Sequence, residues 1–467
     1  MKLIEPCVPP PLDPDFRPIS LANREFVSKV RDSGKAVPLR IAVERENGLI
    51  SVYETQVYDE GAAEFDEGLQ YVERLVKTLL WARGGWRVVI GGPKKIGEYI
   101  QQVYSPEGER AFDYDFMGRQ VYEKEFVVEV TGPDQVPDER EASVALGRHL
   151  DGCRIGLDLG ASDRKVSSVI EGEAIFAEEV VWNPKPQSRP SYHYHHIMSA
   201  LHAAAAALPR VDAIGVSSAG IYIDNRVRVA SLFRGVPEEI YDPMVTDLFL
   251  RIREDWHNVP LQVANDGDVT ALAGAMNLGD NGVLGIAMGS SEAGGFVNAE
   301  GNITGWLNEL AFVPVDLNPQ APVDEWSGDA GCGVQYFSQE CVSRLIPAAG
   351  LDIDMSKPKP EQLVDVQEAM AKGDQRAAHI YETIGAYLGY ALAYYYDLYQ
   401  PRHVLILGRV TTGDGGRLIV DIAKEVLSQE FPEVGEAIEI HMPEKEEEKR
   451  VGQAIAAASL PEIGGEE

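Results

Sequence analysis

The run LQVANDGDVTALAG, residues 261–274, sets two carboxylates into an otherwise apolar stretch. The apolar residues at its start read as a buried strand and the alanine-containing residues at its end as a helix. Asp266 and Asp268 therefore fall where strand gives way to helix. A carboxylate there costs stability unless it caps the helix or does chemistry. Three further segments end an apolar strand in glycine: DLGAS at 158–162, AMGSS at 287–291 and ILGRV at 406–410. Glycine at a strand end lets the chain turn sharply and brings backbone N–H groups close to a phosphate. Asp158, just ahead of the first such turn, is well placed to hold the magnesium that accompanies nucleotide phosphates. One such segment is commonplace in an α/β sheet, so the order and spacing of all of them carry the information.

The elements that must position these residues follow from periodicity. Residues 1 to about 35 are proline-rich and read as an irregular arm. PLRIAVERENGLISVYETQVY reads as a hairpin turning at Asn47-Gly48. Phe65, Leu69, Val72, Leu75, Val76 and Leu79 share one helical face. The strand WRVVIGG and a helix through Ile96, Ile100 and Val103 follow. TGPDQVPDEREAS has linker composition, which places a boundary near residue 145. From Cys153 onward, strands at CRIGLDLGAS, VDAIGVSSAG, LQVANDGD, VLGIAMG and HVLILGR alternate with helices at 193–208, 268–277, 375–399 and KRVGQAIAAASL. That alternation describes an α/β architecture.

The totals exclude several classes of function. Seventy-four acidic against forty-two basic residues give a formal charge of -32 over 467 residues. Such a charge repels nucleic acid and anionic membrane surfaces. Four cysteines are too few for a disulfide scaffold. The amino terminus lacks an apolar signal segment and no window reaches a membrane span, so a cytoplasmic protein is expected.

In order and spacing, residues 153–460 resemble the ROK family of sugar kinases and repressors, part of the actin-like ATPase superfamily to which hexokinases belong. GLDLGAS is similar to the family's first phosphate loop, DAIGVSSAG to its GIxxPG strand, and VANDGDVTALAG to its ENDANAAALGE segment. GIAMGSSEAGGFVNAEGNITG is similar to its second phosphate loop and the hairpin that follows. NELAF matches the start of GEIGH, HVLILGRV the adenosine strand, and KRVGQAIAAASL the last helix. The resemblance implies a two-lobed actin-like ATPase (ribonuclease H-like) α/β fold with an additional N-terminal α+β module. Its expected parts are residues 1–145 as that module, 151–264 as the first lobe and 265–467 as the second, with the last helix packing back on the first. The implied activity is phosphorylation of a sugar by ATP with Mg²⁺. Asp266 would be the general base that accepts the proton of the attacking hydroxyl. Asn265, Glu309 and Gly220 would meet the sugar, while Asp158 would hold magnesium through water. Gly160, Ser162, Gly289 and Ser290 would line the phosphates, and Gly408 and Arg409 would lie at the adenosine. Asp268 reads as a helix N-cap. The implied partner is a small-molecule sugar, without nucleic acid or membrane, and a homodimer stays open.

Several positions depart from the family pattern. Glu325, Ser327, Cys332 and Phe312 stand where the family's zinc ligands would be, and one thiol cannot make a tetrahedral site, so no structural zinc is expected. Gly408-Arg409-Val410 replaces consecutive glycines, and Glu292 in GSSEAGG would place a negative charge near ATP. These departures keep a second reading open, a non-catalytic sugar- or nucleotide-sensing relative. A DNA-binding repressor would need a basic module, and residues 1–145 show none. His193 and His196 lie one helical turn apart without an evident third ligand, so helix packing is the preferred reading. The run PEKEEEKR at 443–450 reads as a solvated helix start. The order helix–strand–Gly–helix at 71–100 echoes that at 395–419.

Overall fold

The computed structural model describes residues 1–141, 146–442 and 446–464, with residues 446–451 described by their backbone alone. The boundary expected near 145 and the first residues of the run 443–450 lie outside the described residues. Contacts divide the chain into two compact units. One holds Met1–Ala142, Ile286–Gly294 and Trp306–Met442, and the other Ser143–Gly285, Gly295–Gly305 and Pro443–Glu467. The segments 1–145, 151–264 and 265–467 therefore do not coincide with the compact units.

The second unit is built on a five-stranded sheet in the order Leu261–Asn265, Ala213–Ser218, Cys153–Leu159, Asp163–Ile170, Glu173–Val181. The first three strands are parallel, and the last two fold back antiparallel. Leu159 and Asn265 are both in register with Ser218, so three parallel strands finish at one edge. Loops leaving the carboxyl ends of parallel strands are where such sheets place ligands. Ile155, Leu157, Ile214, Val216 and Val263 are buried against the helix Pro190–Ala205 and the helix Leu248–Asp255. The helix Glu446–Ala458 packs on the same sheet. Gly156 and Gly215, register partners, make that approach feasible. A Cβ on Gly215 would come within 1.7 Å of the Ala457 carbonyl oxygen, and one on Gly156 within 2.2 Å of that of Ala454.

The chain has two four-stranded sheets besides, the first of them wholly within the first unit. One has the order Ile50–Tyr58, Ala36–Glu44, Arg87–Gly91, Val127–Thr131, and the other joins Glu292–Val297, Val283–Met288, His403–Leu407 and Glu439–His441. The hairpin turns at Asn47-Gly48, both at positive φ, as its sequence predicts. The irregular arm expected over residues 1–35 is corrected in part, because Ile19–Asp32 is a helix. Its buried Ile19, Ala22, Phe26 and Val30 recur every three or four residues, a short amphipathic stripe masked by the prolines before it. A helical stretch over 111–122, partly of π type, was also not anticipated from the charged sequence there.

The helix Phe65–Ala82 is buried on nearly every side, and this explains how the first 142 residues join the same body as residues 306–442. Thr78 Oγ1 and the Tyr394 hydroxyl lie 2.7 Å apart, and the backbone N–H groups of Asn308 and Glu309 donate to the carbonyls of Ala82 and Trp81. Beside them sits a buried set of three cations and three anions. Arg74 reaches Glu73 at 2.6 Å and Asp329 at 2.9 Å. Lys77 reaches Asp113 at 3.0 Å and Asp329 at 3.3 Å. Arg110 reaches Glu73 at 2.6 Å and Asp329 at 2.7 Å. Burial pushes the Asp329 carboxyl up, but Arg74 and Lys77 outweigh it and hold the group below its ordinary value. Asp329 touches all three cations, so Asp329→Ala would leave them under-compensated in the interior. The expected loss is about 3–5 kcal/mol of unfolding free energy. Urea denaturation of wild type and variant measures it, and a loss below about 1 kcal/mol would show that the hub role is misassigned.

Candidate active site

In the second unit the in-register strand ends bring sequence-distant residues together. Asp158 and Ser217 are register partners, and the Ser217 hydroxyl donates to Asp158 Oδ1 at 2.9 Å. Lys165, facing Asp158 across the antiparallel hairpin, lies 3.6 Å from its Oδ2 and 2.9 Å from Asp163 Oδ1. Burial raises the Asp158 carboxyl, and Lys165 and Ser217 oppose that rise. Lys165 and Ser217 were not singled out from the sequence. The signal was there: two-residue alternation across a hairpin puts Lys165 on the face of Asp158.

Asn265 ends its strand and caps the next helix. Its Oδ1 accepts from the Gly267 N–H at 2.7 Å, while its Nδ2 donates to the Gly220 carbonyl at 2.8 Å. One side chain thus ties two of the three strand-end loops together. Gly220 sits at φ 131°, where a Cβ would come within 2.5 Å of the Val229 carbonyl oxygen, so glycine is required there. Asp266 opens the helix Asp266–Leu278, half-buried, with Oδ1 accepting from the Gly267 N–H at 3.0 Å. Burial first, then the charge on Asp158, push its carboxyl up to about 6.

The reading of Asp268 as N-cap is corrected. The helix starts two residues earlier than expected because the Asn265 side chain reaches forward and accepts from the Gly267 N–H in its first turn. Asp268 is instead buried at 5 % exposure, and its Oδ1 accepts from the Phe296 N–H at 3.1 Å. Gly160 and Ser162 form the tight turn between antiparallel strands. The Gly160 N–H donates to the Asp163 carbonyl, and the exposed Ser162 hydroxyl donates to Asp163 Oδ2 at 2.9 Å.

The first unit places the other sequence-predicted residues. Gly289 and the exposed Ser290 turn the chain between Val283–Met288 and Glu292–Val297, with the Gly289 N–H donating to the Ser291 carbonyl at 2.9 Å. Gly408, at φ 108°, ends the neighbouring strand, and a Cβ there would come within 2.3 Å of the Met288 carbonyl oxygen. Two glycine-ended strands therefore finish side by side. Arg409 is exposed, with its carbonyl held by Gln367 Nε2 at 2.8 Å. Glu309, half-buried, precedes the short 3₁₀ turn Leu310–Phe312.

Glu292 does not place a charge near ATP, and that expectation is corrected. As the first residue of its strand it points into the core at 3 % exposure, where Tyr395 donates to Oε1 at 3.3 Å. Among the described residues its Oε2 has no hydrogen-bond partner. Burial pushes its carboxyl up to about 8.

Three of the four residues aligned with zinc ligands have protein partners. Ser327 Oγ donates to Asp324 at 2.7 Å and Cys332 Sγ to Asp329 at 3.6 Å. Phe312 packs on Trp81 and Trp326 at ring separations of 4.4 and 5.0 Å. His193 is buried, its Nε2 lying 2.9 Å from the Leu232 carbonyl and 3.2 Å from that of Pro184, which agrees with a packing role.

No family sequence model and no curated protein matches the chain. Solved structures do. A ROK hexokinase from Thermus thermophilus aligns with TM-score 0.51 and 19 % identity, covering 65 % of this chain and 97 % of that one. A ROK family transcriptional regulator, a homologue of the E. coli MLC protein, aligns with TM-score 0.50 and 19 % identity over 67 % of this chain and 79 % of that one. At this identity the likeness defines the fold: the chain is built on the α/β fold of the ROK proteins, the actin-like ATPase fold.

The buried Glu292 generates a stability prediction. Its folded pKa of about 8 exceeds the ordinary 4.5, so its favourable contribution is complete below about 4.5 and is lost as pH rises through about 8. Glu292→Gln removes that dependence at nearly constant shape. Its stability relative to wild type should grow from pH 5 to pH 9 by a few kcal/mol, because each pH unit between the two pKa values is worth about 1.4 kcal/mol. Denaturant unfolding at the two pH values checks this, and parallel pH dependences would contradict the assignment.

Proposed function

We propose that the protein is a ROK-type kinase that transfers the terminal phosphoryl group of ATP to a sugar hydroxyl, with Asp266 as general base. The observation that carries this reading is the half-buried Asp266 at a strand-end edge, its carboxyl raised to about 6 beside Asp158. A base poised near neutrality can accept a hydroxyl proton as the oxygen attacks phosphorus, and still be largely ionised at working pH. The Gly267 N–H bonds favour the ionised form and fix the carboxylate's direction.

Asn265, after capping the helix and holding Gly220, keeps one lone pair and one N–H for a sugar hydroxyl. Glu309 and Gly220 are the other sugar-contacting positions in this reading. Asp158 offers the hard carboxylate oxygen that suits hydrated magnesium, and Lys165 beside it favours contact through water. When bound, the magnesium supplies charge neutralisation at the phosphates. Gly160, Ser162, Gly289 and Ser290 offer backbone and hydroxyl donors to those phosphates, and Gly408 and Arg409 an adenosine platform on which a guanidinium can stack.

Asp266→Asn should lower turnover on the cognate sugar about 10²–10⁴-fold with little change in affinity for ATP. In wild type, kcat/KM should fall as pH drops through about 6, where Asp266 takes up its proton. A panel of sugars and polyols with an ADP-release readout, followed by the variant and the pH profile, tests this. Unchanged turnover in the variant would remove Asp266 as base. A silent panel, with calorimetry showing ATP or sugar binding, would favour the non-catalytic sensing role.

A further inference from the structure

The sheet edge that holds the strand Glu439–His441 carries a cluster apart from all the residues above. Glu439 and His441 are two positions apart on one strand and so project from the same face. Next to them runs the parallel strand His403–Leu407, and His403 is the register partner of Glu439. His403 Nδ1 and His441 Nε2 lie 3.0 Å apart. Glu439 Oε2 is 3.9 Å from the former and 3.7 Å from the latter. One ligand atom from each residue lies within 4.8 Å of the others, the only such group of three among the described residues.

Two imidazole nitrogens at this distance fit one ion bound between them. With metal–nitrogen bonds of about 2.0–2.1 Å, ligand nitrogens stand about 2.9–3.4 Å apart from octahedral to tetrahedral angles. His403 is 12 % exposed and His441 27 %, which fixes both rings, while Glu439 at 73 % is free to swing onto the ion.

We propose that His403, Glu439 and His441 bind one divalent transition-metal ion of the zinc or nickel class. Two imidazoles and a carboxylate select such ions over magnesium, which prefers oxygen ligands alone. Three protein ligands leave the remaining positions to water. His403 begins the strand whose other end carries Gly408 and Arg409, so the ion clasps the edge strand to the sheet away from those residues. Its role is structural and stands independently of the proposed kinase activity.

The test uses the full-length untagged protein, stripped with a chelator and titrated with zinc chloride by calorimetry. One equivalent should bind, with a rise in the thermal midpoint that accompanies saturation. His403→Gln and His441→Gln, which keep hydrogen-bonding capacity, should each weaken zinc at least the roughly 10–100-fold that follows loss even of an outer-shell partner. Glu439→Gln should weaken it less. Circular dichroism of the metal-free variants shows whether they fold. Zinc that fails to bind wild type at micromolar concentration, or that binds a folded double variant equally well, would overturn the site. The other seven histidines would then be responsible for any uptake that survives.

Discussion

Two carboxylates at the ends of the parallel strands that flank Ala213–Ser218 cannot both ionise cheaply, and the second unit is arranged around that constraint. Burial raises the Asp158 carboxyl, and Lys165 and Ser217 oppose that rise. Among the described residues Asp266 has only backbone N–H groups for compensation, and burial with the charge on Asp158 pushes its carboxyl up to about 6. The separation in behaviour comes from partners, since the residue type is the same. Register makes it possible, because Leu159, Ser218 and Asn265 end together. Asn265 then spends its amide on both the helix start and the Gly220 loop, which locks the direction in which Asp266 points.

The first unit meets the same cost of burying charge in two different ways. Around Asp329 three cations and three anions neutralise one another, so the helix Phe65–Ala82 is pinned by ion pairs and aromatic contacts to residues 306–332. That is the stretch where the family pattern has metal ligands, and here Phe312, Ser327 and Cys332 turn to protein partners instead. Glu292 takes the other course. Among the described residues it has one hydroxyl donor and no cation, and burial makes it keep its own proton up to about pH 8. The N-terminal residues are thus structural members of this unit, whatever further role they have.

Much of this was legible in the chain. Each strand that ends in glycine, the hairpin at Asn47-Gly48, the long helix Gln375–Tyr399 and the strand–helix junction at Asp266 could be read from periodicity and turn chemistry, because these are local signals. The helix Ile19–Asp32 was missed because its stripe is only four residues deep and follows a proline-rich run. Asp268 was misread because Asp at a helix start caps or buries according to what lies opposite it. The Phe296 N–H that it meets is 28 residues away.

By itself the chain determined the alternation of strands and helices and the residue types at each strand end, for these depend on neighbours within a turn or a pleat. Only the tertiary structure decided what those side chains face. Register set Asp158 beside Ser217 and Lys165, one-sided burial turned Glu292 into the core, and long-range packing joined residues 65–82 to Asp329. A charge takes its energy from the whole volume around it, and periodicity along a chain carries no information about that volume.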